Sequence, residues 1–194
     1  SAEELTSIAG NLANGAVIDL GEATFATTEF PMDFTRKTNL QEIALPRNIQ
    51  TFTPSTYNSG AFYGCKKLTR IPFPEGLTAI GQNCFRNCAK LESIELPSSV
   101  RTLDIYAFYG CKLLTSVVIP EGVEAIPRFL FDSCTALTDV TLPSTLKSIG
   151  AEAFEATGLE EITIPESVTT IESSVFKNCK SLERIQFPDA LTAI

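Results

Sequence analysis

The sequence predicts an α/β repeat solenoid, because three features return at one nearly constant period. The first is a phenylalanine, whose seven copies are separated by 28, 23, 23, 23, 23 and 22 residues. A leucine follows each copy after five or six residues, and a proline follows each leucine after six. Units of this length are typical of solenoids, in which each unit buries its apolar edge against its neighbours. The phenylalanines, which number units 1 to 7, are Phe34, Phe62, Phe85, Phe108, Phe131, Phe154 and Phe176.

The leucine of each unit starts a predicted strand. Two further apolar columns follow it, with Ser, Thr, Glu or Arg between them, and this period-2 pattern predicts a short half-buried strand. The proline at its end has no N–H to donate to a neighbouring strand, so the strand is limited to about four or five residues. The second apolar column holds Ile43, Ile71, Ile94, Val117, Val140, Ile162 and Ile185. The third holds Leu45, Phe73, Leu96, Ile119, Leu142, Ile164 and Phe187.

The remainder of each unit returns the chain to the core. In unit 3 the apolar residues after the proline are Val100 and Leu103, and the other units repeat this pair. The stretch A-F-x-x-C then predicts one helical or 3-10 turn on the far side of the unit. Its phenylalanine would fill the core between successive rungs.

The best-formed repeat, LESIELPSSVRTLDIYAFYGCK at 91–112, resembles the repeat of the BspA-like family of leucine-rich repeats. The resemblance covers residues 34–194, and five of the seven units keep the family's cysteine. Unit 1 has Lys37 there, and unit 6 has the shorter turn Ala156-Thr157-Gly158. The resemblance implies a right-handed leucine-rich-repeat array. It places a short-stranded parallel sheet on the concave face and helical or 3-10 turns on the convex face.

The two ends of the chain depart from the repeat. Residues 1–33 are predicted to form an N-terminal cap, with a short helix after the capping-box spacing of Ser1-Ala2-Glu3-Glu4 and a strand at 16–20. The seven repeats of about 23 residues then occupy 34–194. At Ile194 no polar capping unit follows, so either the array is truncated at the C-terminus or this end pairs with another chain. We favour truncation and a monomer.

Composition argues against several classes of function. The net charge of −8 and the pI near 4.6 oppose nucleic acid or an anionic membrane as partner. No apolar stretch reaches the roughly 18 residues that a bilayer span needs. The chain has no histidine, which removes Ser-His-Asp and Cys-His arrangements and most zinc and non-haem iron sites. We therefore expect no enzymatic activity, no cofactor and no metal site.

The six cysteines favour free thiols. Five of them, Cys65, Cys88, Cys111, Cys134 and Cys179, share one position of the unit. Their side chains would stack in parallel, whereas a disulfide needs two side chains that face each other. Cys84 is additional, and no second pair completes a zinc site with it. Buried thiols that act as small apolar groups are expected, and disulfides are the alternative.

Candidate partner-binding residues occur in three places. Parallel strands line up the residues between their apolar columns on the concave face, where we select Arg70, Glu95, Asp139, Glu161 and Arg184. Tyr63 and Tyr109 each follow a register phenylalanine, and they either point outward as interface residues or pack across the neighbouring turn. Tyr57 lies in the five-residue insertion within 53–60, a loop that either carries binding or is simply tolerated.

The family resemblance implies a cell-surface or secreted bacterial protein that binds host or neighbouring-cell proteins. We expect a protein-interaction or adhesion module with a protein partner, such as a host extracellular-matrix or plasma protein. The alternatives are a glycan-binding surface protein and a structural spacer within a longer surface protein. The absence of tryptophan weighs against glycan binding, because sugars are commonly recognised by large aromatic faces.

Overall fold

The computed structural model describes residues 16–31, 33–52, 59–189 and 191. Among these residues every element of regular structure is a short β-strand, and each observed pairing is parallel. The strands are β1 (Ala16–Asp19), β2 (Glu29–Phe30), β3 (Leu40–Ala44), β4 (Thr51–Phe52), β5 (Ala79–Ile80), β6 (Thr102–Leu103), β7 (Ser116–Val118), β8 (Ala125–Ile126), β9 (Asp139–Thr141), β10 (Ser148–Ile149), β11 (Glu161–Thr163), β12 (Thr170–Ile171) and β13 (Arg184–Gln186).

One row of strands follows the leucine column and forms what we call the strand face. It pairs β1 with β3, β7 with β9 and β11 with β13, with Val117 opposite Val140 and Ile162 opposite Ile185. The repeated apolar columns therefore stay in register from unit to unit, and the predicted strand is confirmed in these units. In unit 2 the same row is reduced to an isolated bridge between Arg70 and Glu42 of unit 1, and the described residues of unit 3 have no strand in this row.

A second row of strands was not predicted from the sequence. Six of its strands lie at the last inward apolar column of units 1 to 6, and a seventh precedes unit 1. Each is two residues long, and they are β2, β4, β5, β6, β8, β10 and β12. Ile126 and Ile171 lie opposite Ile149 on its two sides, so three units form one continuous sheet. Within the described residues, units 1, 4, 5 and 6 thus contribute two strands each to the solenoid.

A surface that we call the turn edge is built from the turns that surround the register phenylalanines. It comprises segments 33–39, 59–67, 81–90, 104–113, 127–136, 150–158 and 172–181. The expectation of a helical or 3-10 convex face is wrong, since neither kind of helix occurs in the described ranges. In unit 3 the N–H of Arg86 donates to the carbonyl of Asn83, three residues back. The N–H of Phe85 donates instead to the carbonyl of Ala107 in unit 4. Alternate backbone groups therefore close the turn and join it to the next unit.

Left-handed residues explain why no helix forms. In units 3 to 7, the residues two before and two after the register phenylalanine have φ between 54° and 69°. A right-handed helix needs negative φ, so a left-handed residue at these positions ends each turn. Gly110 adopts this conformation at no steric cost, whereas Phe129 and Glu152 adopt it despite their side chains.

The register phenylalanines form a continuous stack through the core. From Phe34 to Phe176, neighbouring ring centroids are 5.3 to 5.9 Å apart, and the ring planes differ by 6° to 15°. The rings from Phe34 to Phe154 are completely buried. The prediction that they fill the core between rungs is confirmed, and the stack fixes the separation of the units.

The cysteines form a ladder beside this stack. All six are free, five are buried and Cys179 is half-buried, which confirms the prediction of buried thiols for the first five. Each register thiol donates to the carbonyl oxygen of the phenylalanine in the preceding unit, at 3.0 to 3.3 Å. Thr157 takes the cysteine position of unit 6, and its hydroxyl bonds the Phe154 carbonyl at 2.9 Å. Burial raises the pKa of the Cys65 thiol to about 12.

Close packing between units gives a prediction for Gly150. A Cβ there would lie 2.6 Å from the backbone nitrogen of Arg128 in the preceding unit. Gly81 occupies the same position of its own unit, but its Cβ would be 3.7 Å from the nearest atom, the Phe52 carbonyl oxygen. We expect Gly150→Ala to lower the free energy of unfolding by about 1 to 3 kcal/mol, and Gly81→Ala to change it by less than about 0.5 kcal/mol. Urea denaturation checks both, and equal losses would contradict this packing.

The first described residues extend the stack beyond unit 1. Ile18 in β1 lies opposite Ile43, and Phe30 in β2 lies opposite Phe52, so residues 16–30 form a further rung. The predicted helix of the cap, Tyr57 and Ile194 lie outside the described residues. The division into a cap at 1–33 and seven repeats at 34–194 stays a prediction, as does the right-handed coil. Within the ranges given above, no helix is long and apolar enough to cross a bilayer.

Candidate functional site

The turn edge carries an arginine–tyrosine cluster, formed by Arg36, Tyr63, Arg86, Tyr106 and Tyr109. Tyr63, Arg86 and Tyr109 occupy the same position in units 2, 3 and 4, directly after the register phenylalanine. The Arg86 guanidinium carbon is 4.7 Å from the ring centroid of Tyr109, 4.6 Å from that of Tyr106 and 5.9 Å from that of Tyr63. Arg36 approaches Tyr63 from unit 1 at 5.6 Å. Repetition thus brings together residues that lie 23 positions apart.

The rings of this cluster are already covered by protein groups. The Tyr106 ring stacks on Phe129 at 4.7 Å, with 6° between the planes, and Arg86 also contacts it. Tyr109 meets the edge of Tyr106 at 5.7 Å. The tyrosines are half-buried, which agrees with packing across the neighbouring turn. Their interface role stays a prediction, and it depends on the phenol hydroxyls and the cations more than on the ring faces.

A shallow depression of about 570 Å³ adjoins the cluster on the turn edge. Arg36, Lys66 and Lys112 contribute three cationic side chains to its lining, and the lining contains no carboxylate. Gly64 and Gly110, at φ of 70° and 69°, leave bare backbone in the same wall. Its chemistry suits a ligand that offers oxygen anions or hydrogen-bond acceptors.

The strand face holds the other predicted site residues, and all five are exposed there. Arg70 and Glu95 line a depression of about 390 Å³ that carries both signs of charge. Glu161 lies opposite Arg184 in register and forms an ion pair with it. Asp139 lies opposite Ser116, in a different strand pair. The strand face therefore brings Arg70 near Glu95 and Glu161 near Arg184. Asp139 stays apart from both pairs, so these residues do not form a single site.

Three carboxylates meet further along the turn edge. Asp132, Glu152 and Glu155 each place an oxygen within 4.8 Å of the others. Burial raises the pKa of Asp132, and a hydrogen bond with Glu155 raises that of Glu152. Lys177 forms an ion pair with Glu155 at 3.0 Å. Burial of Glu155 opposes its ionisation, but hydrogen bonds from Lys177 and Glu152 outweigh this effect, and its pKa is lowered. Each of the three carboxylates already has a partner in the protein: Ser133 for Asp132, Glu155 for Glu152 and Lys177 for Glu155. We therefore assign no metal to this cluster.

Arg86 is expected to stabilise the fold as well as the site. Its guanidinium contacts three tyrosine rings, whereas that of Arg128 lies over one ring, Phe129, at 4.9 Å. We expect Arg86→Ala to lower the free energy of unfolding by about 1 to 2 kcal/mol, and Arg128→Ala by less than about 1 kcal/mol. Urea denaturation followed by circular dichroism measures both. A smaller loss for Arg86→Ala than for Arg128→Ala would contradict this view of the cluster.

Tyr63 and Tyr109 were predicted from the sequence, but their cationic neighbours were not. Arg36, Arg86, Lys66 and Lys112 are far apart in the chain, and the overall net charge of −8 conceals them. A count of charge at each position of the repeat would have found them, since the turns of units 1 to 4 are strongly basic. Tyr57, the eighth predicted site residue, lies outside the described residues.

Comparison with known proteins gives one family and several solved structures of related fold. The solved leucine rich cell surface protein of Faecalibacterium prausnitzii A2-165 matches with a TM-score of 0.76 and 29% identity. The match covers 89% of this chain and 48% of that protein, so this chain spans about half of its length. A search among curated proteins found no match.

Two more distant structures share the fold alone. The T. pallidum leucine rich repeat protein TpLRR has a TM-score of 0.58 at 23% identity, over 73% of this chain and 76% of its own. The pneumococcal vaccine antigen PcpA has a TM-score of 0.51 at 19% identity, over 90% of this chain and 42% of its own.

The family assignment rests on the repeats themselves. A model of the BspA type leucine rich repeat region matches residues 28–154 and 106–194, with six copies. These overlapping matches include every register phenylalanine and every cysteine of the chain. The resemblance seen in the sequence is confirmed, and the chain belongs to the BspA-type leucine-rich repeat family.

Proposed function

We propose that this chain is a non-catalytic protein-interaction and adhesion module of a bacterial cell-surface or secreted protein. The observation that carries the proposal is the arginine–tyrosine cluster beside its cationic depression on the turn edge. Tyrosine and arginine are enriched at protein interfaces and among the residues that dominate binding energy. The partner would be a protein, such as a host extracellular-matrix or plasma protein, and the module would act as a monomer.

Family and fold support the same proposal. The related protein of F. prausnitzii is described as a leucine rich cell surface protein, and we propose the same location for this chain. A solenoid presents long regular surfaces and leaves the ligand to its exposed positions, so binding is the activity that this architecture favours. The strand-face residues Arg70, Glu95, Asp139, Glu161 and Arg184 offer a second surface, on which ion pairing partly neutralises the charges.

Glycan binding is the runner-up, and the cluster disfavours it. Recognition of sugars by stacking needs an open aromatic face, whereas Tyr106 has Phe129 and Arg86 against it, and Tyr63 has Arg36 and Arg86. The phenol groups and cations remain for polar contacts. This arrangement favours a partner that supplies hydrogen-bond acceptors over one that supplies an apolar sugar face.

Surface plasmon resonance of the purified chain against immobilised extracellular-matrix and plasma proteins tests the proposal. We expect saturable binding to at least one of these proteins, with a dissociation constant in the micromolar range of about 1 to 100 μM. A glycan array run in parallel provides the contrast. Binding to glycans together with silence across the proteins would replace the proposal by its runner-up.

A further inference from the structure

Charge is distributed unevenly along the turn edge. The segments of units 1 to 4 carry seven of the fifteen lysines and arginines of the chain, but only two carboxylates, Asp33 and Asp104. The segments of units 5 to 7 carry three cations and four carboxylates. The seven cations are Arg36, Lys37, Lys66, Lys67, Arg86, Lys90 and Lys112. A protein with a net charge of −8 therefore has one strongly basic region, which we call the basic half of the turn edge.

Within the described residues, no ion pair neutralises Arg36, Lys66 or Lys112, the three cations that line the depression. The ion pairs found among the described residues join Arg47 to Glu22, Lys177 to Glu155 and Arg184 to Glu161, and all of these lie elsewhere. Arg86 is held by tyrosine rings, and its Nε atom is buried without a hydrogen-bond partner in the described part of the chain. Like charges brought together in this way repel one another, so an anionic partner would relieve them.

The cations that line the depression are spread along the solenoid axis. Arg36 belongs to unit 1, Lys66 to unit 2 and Lys112 to unit 4, and all three line it. Three steps of the phenylalanine stack separate units 1 and 4, and each step measures 5.3 to 5.5 Å. An extended polypeptide advances about 3.3 Å per residue, so roughly five residues would span these cations. The covered tyrosine rings leave no platform for the stacked bases of a nucleic acid.

We infer that the basic half of the turn edge binds an extended acidic segment of a protein partner, rich in Asp or Glu. The segment runs along the stack, with its carboxylates on Arg36, Lys66 and Lys112 and with hydrogen bonds from the tyrosine hydroxyls. Charge complementarity and the cationic depression carry this assignment. It rests on the proposed function as a protein-binding module and names the chemistry of the partner.

A labelled hexaglutamate peptide, followed by fluorescence anisotropy, tests the inference on the whole chain. We expect binding that weakens as the ionic strength rises from about 0.05 M to about 0.3 M, and no binding of hexaglutamine. The double variant Lys66→Glu/Lys112→Glu should weaken binding by about tenfold or more. Lys180→Glu is the control, because Lys180 is exposed at the same position of unit 7, and it makes half the change in charge of the double variant. It should change the affinity by less than about twofold.

Several results would overturn the inference. A loss of binding free energy for Lys180→Glu that reaches about half the loss for the double variant would show a non-specific charge effect. Preference for a sulfated polysaccharide over the peptide by about tenfold or more would assign the surface to a carbohydrate polyanion. Dimerisation in sedimentation that the double variant abolishes would assign it to a second copy of the chain. If the double variant still binds a protein found by the plasmon resonance screen, the proposed function stands and the inference fails. If the peptide binds but no protein in the plasmon resonance screen does, the inference about acidic ligands stands and the proposed set of partners fails.

Discussion

Replacing Phe108 by alanine is expected to lower the free energy of unfolding by about 3 to 5 kcal/mol. The ring is completely buried and is stacked between Phe85 at 5.5 Å and Phe131 at 5.6 Å. Truncation therefore removes buried area and opens a cavity in the middle of the array, where two neighbouring units depend on the same ring. Urea denaturation followed by circular dichroism measures the loss.

Phe176→Ala provides the matched control for this prediction. Phe176 is half-buried, and Phe154 at 5.9 Å is its stacking partner in the described part of the chain. We expect a loss smaller by about 1 to 2 kcal/mol than that for Phe108→Ala. A loss below about 1 kcal/mol for Phe108→Ala would show that the stack does not hold the units together.

Alkaline pH is expected to destabilise the fold strongly through its buried thiols. Burial raises the pKa of Cys65 from 9.0 to about 12 and raises those of Cys84, Cys88 and Cys111 well above 9.0. The folded state keeps these thiols protonated, whereas the unfolded chain ionises them. Their stabilising contribution is complete below about pH 9 and is lost as the pH rises towards 12. For Cys65 alone the loss approaches about 4 kcal/mol.

Urea midpoints measured at several pH values between 8 and 11 test this effect. Cys65→Ser removes the thiol but keeps a hydroxyl that can donate to the Phe34 carbonyl, as the thiol does at 3.1 Å. We expect its stability to fall less steeply with pH than that of the wild type, by up to about 1.4 kcal/mol per pH unit. Parallel pH profiles for the two proteins would contradict the assignment to Cys65.

The repeat explains what the sequence could predict and what it could not. The buried apolar residues and cysteines recur at one period along the chain. The strand face, the phenylalanine stack and the row of buried thiols could therefore be predicted from residue type and spacing. The turn edge depends on left-handed residues, and Tyr106, Phe129 and Glu152 adopt that conformation without any local signal. Phe129 and Glu152 donate their N–H groups to the carbonyls of Ala151 and Ser173 in the next unit, so their conformation depends on the stack and not on the local sequence alone.

The candidate site was missed for a related reason. Tyr63 and Tyr109 stand out as single residues, but Arg86 joins them only when units 2, 3 and 4 are stacked. Net charge is an average over the whole chain, and it hides a basic region whose members are spread over four units. The two-residue strands of the second row, such as β6, are too short to show a period of two.

The most direct test of recognition by the turn edge compares two double variants against the first protein that binds saturably. Tyr63→Ala/Tyr109→Ala alters the arginine–tyrosine cluster, and Arg70→Ala/Glu95→Ala alters the strand-face depression. Circular dichroism establishes first that both variants fold. We expect the tyrosine variant to lose about tenfold or more in affinity, and the strand-face variant to stay within about twofold of the wild type. Loss confined to the strand-face variant would contradict recognition by the turn edge.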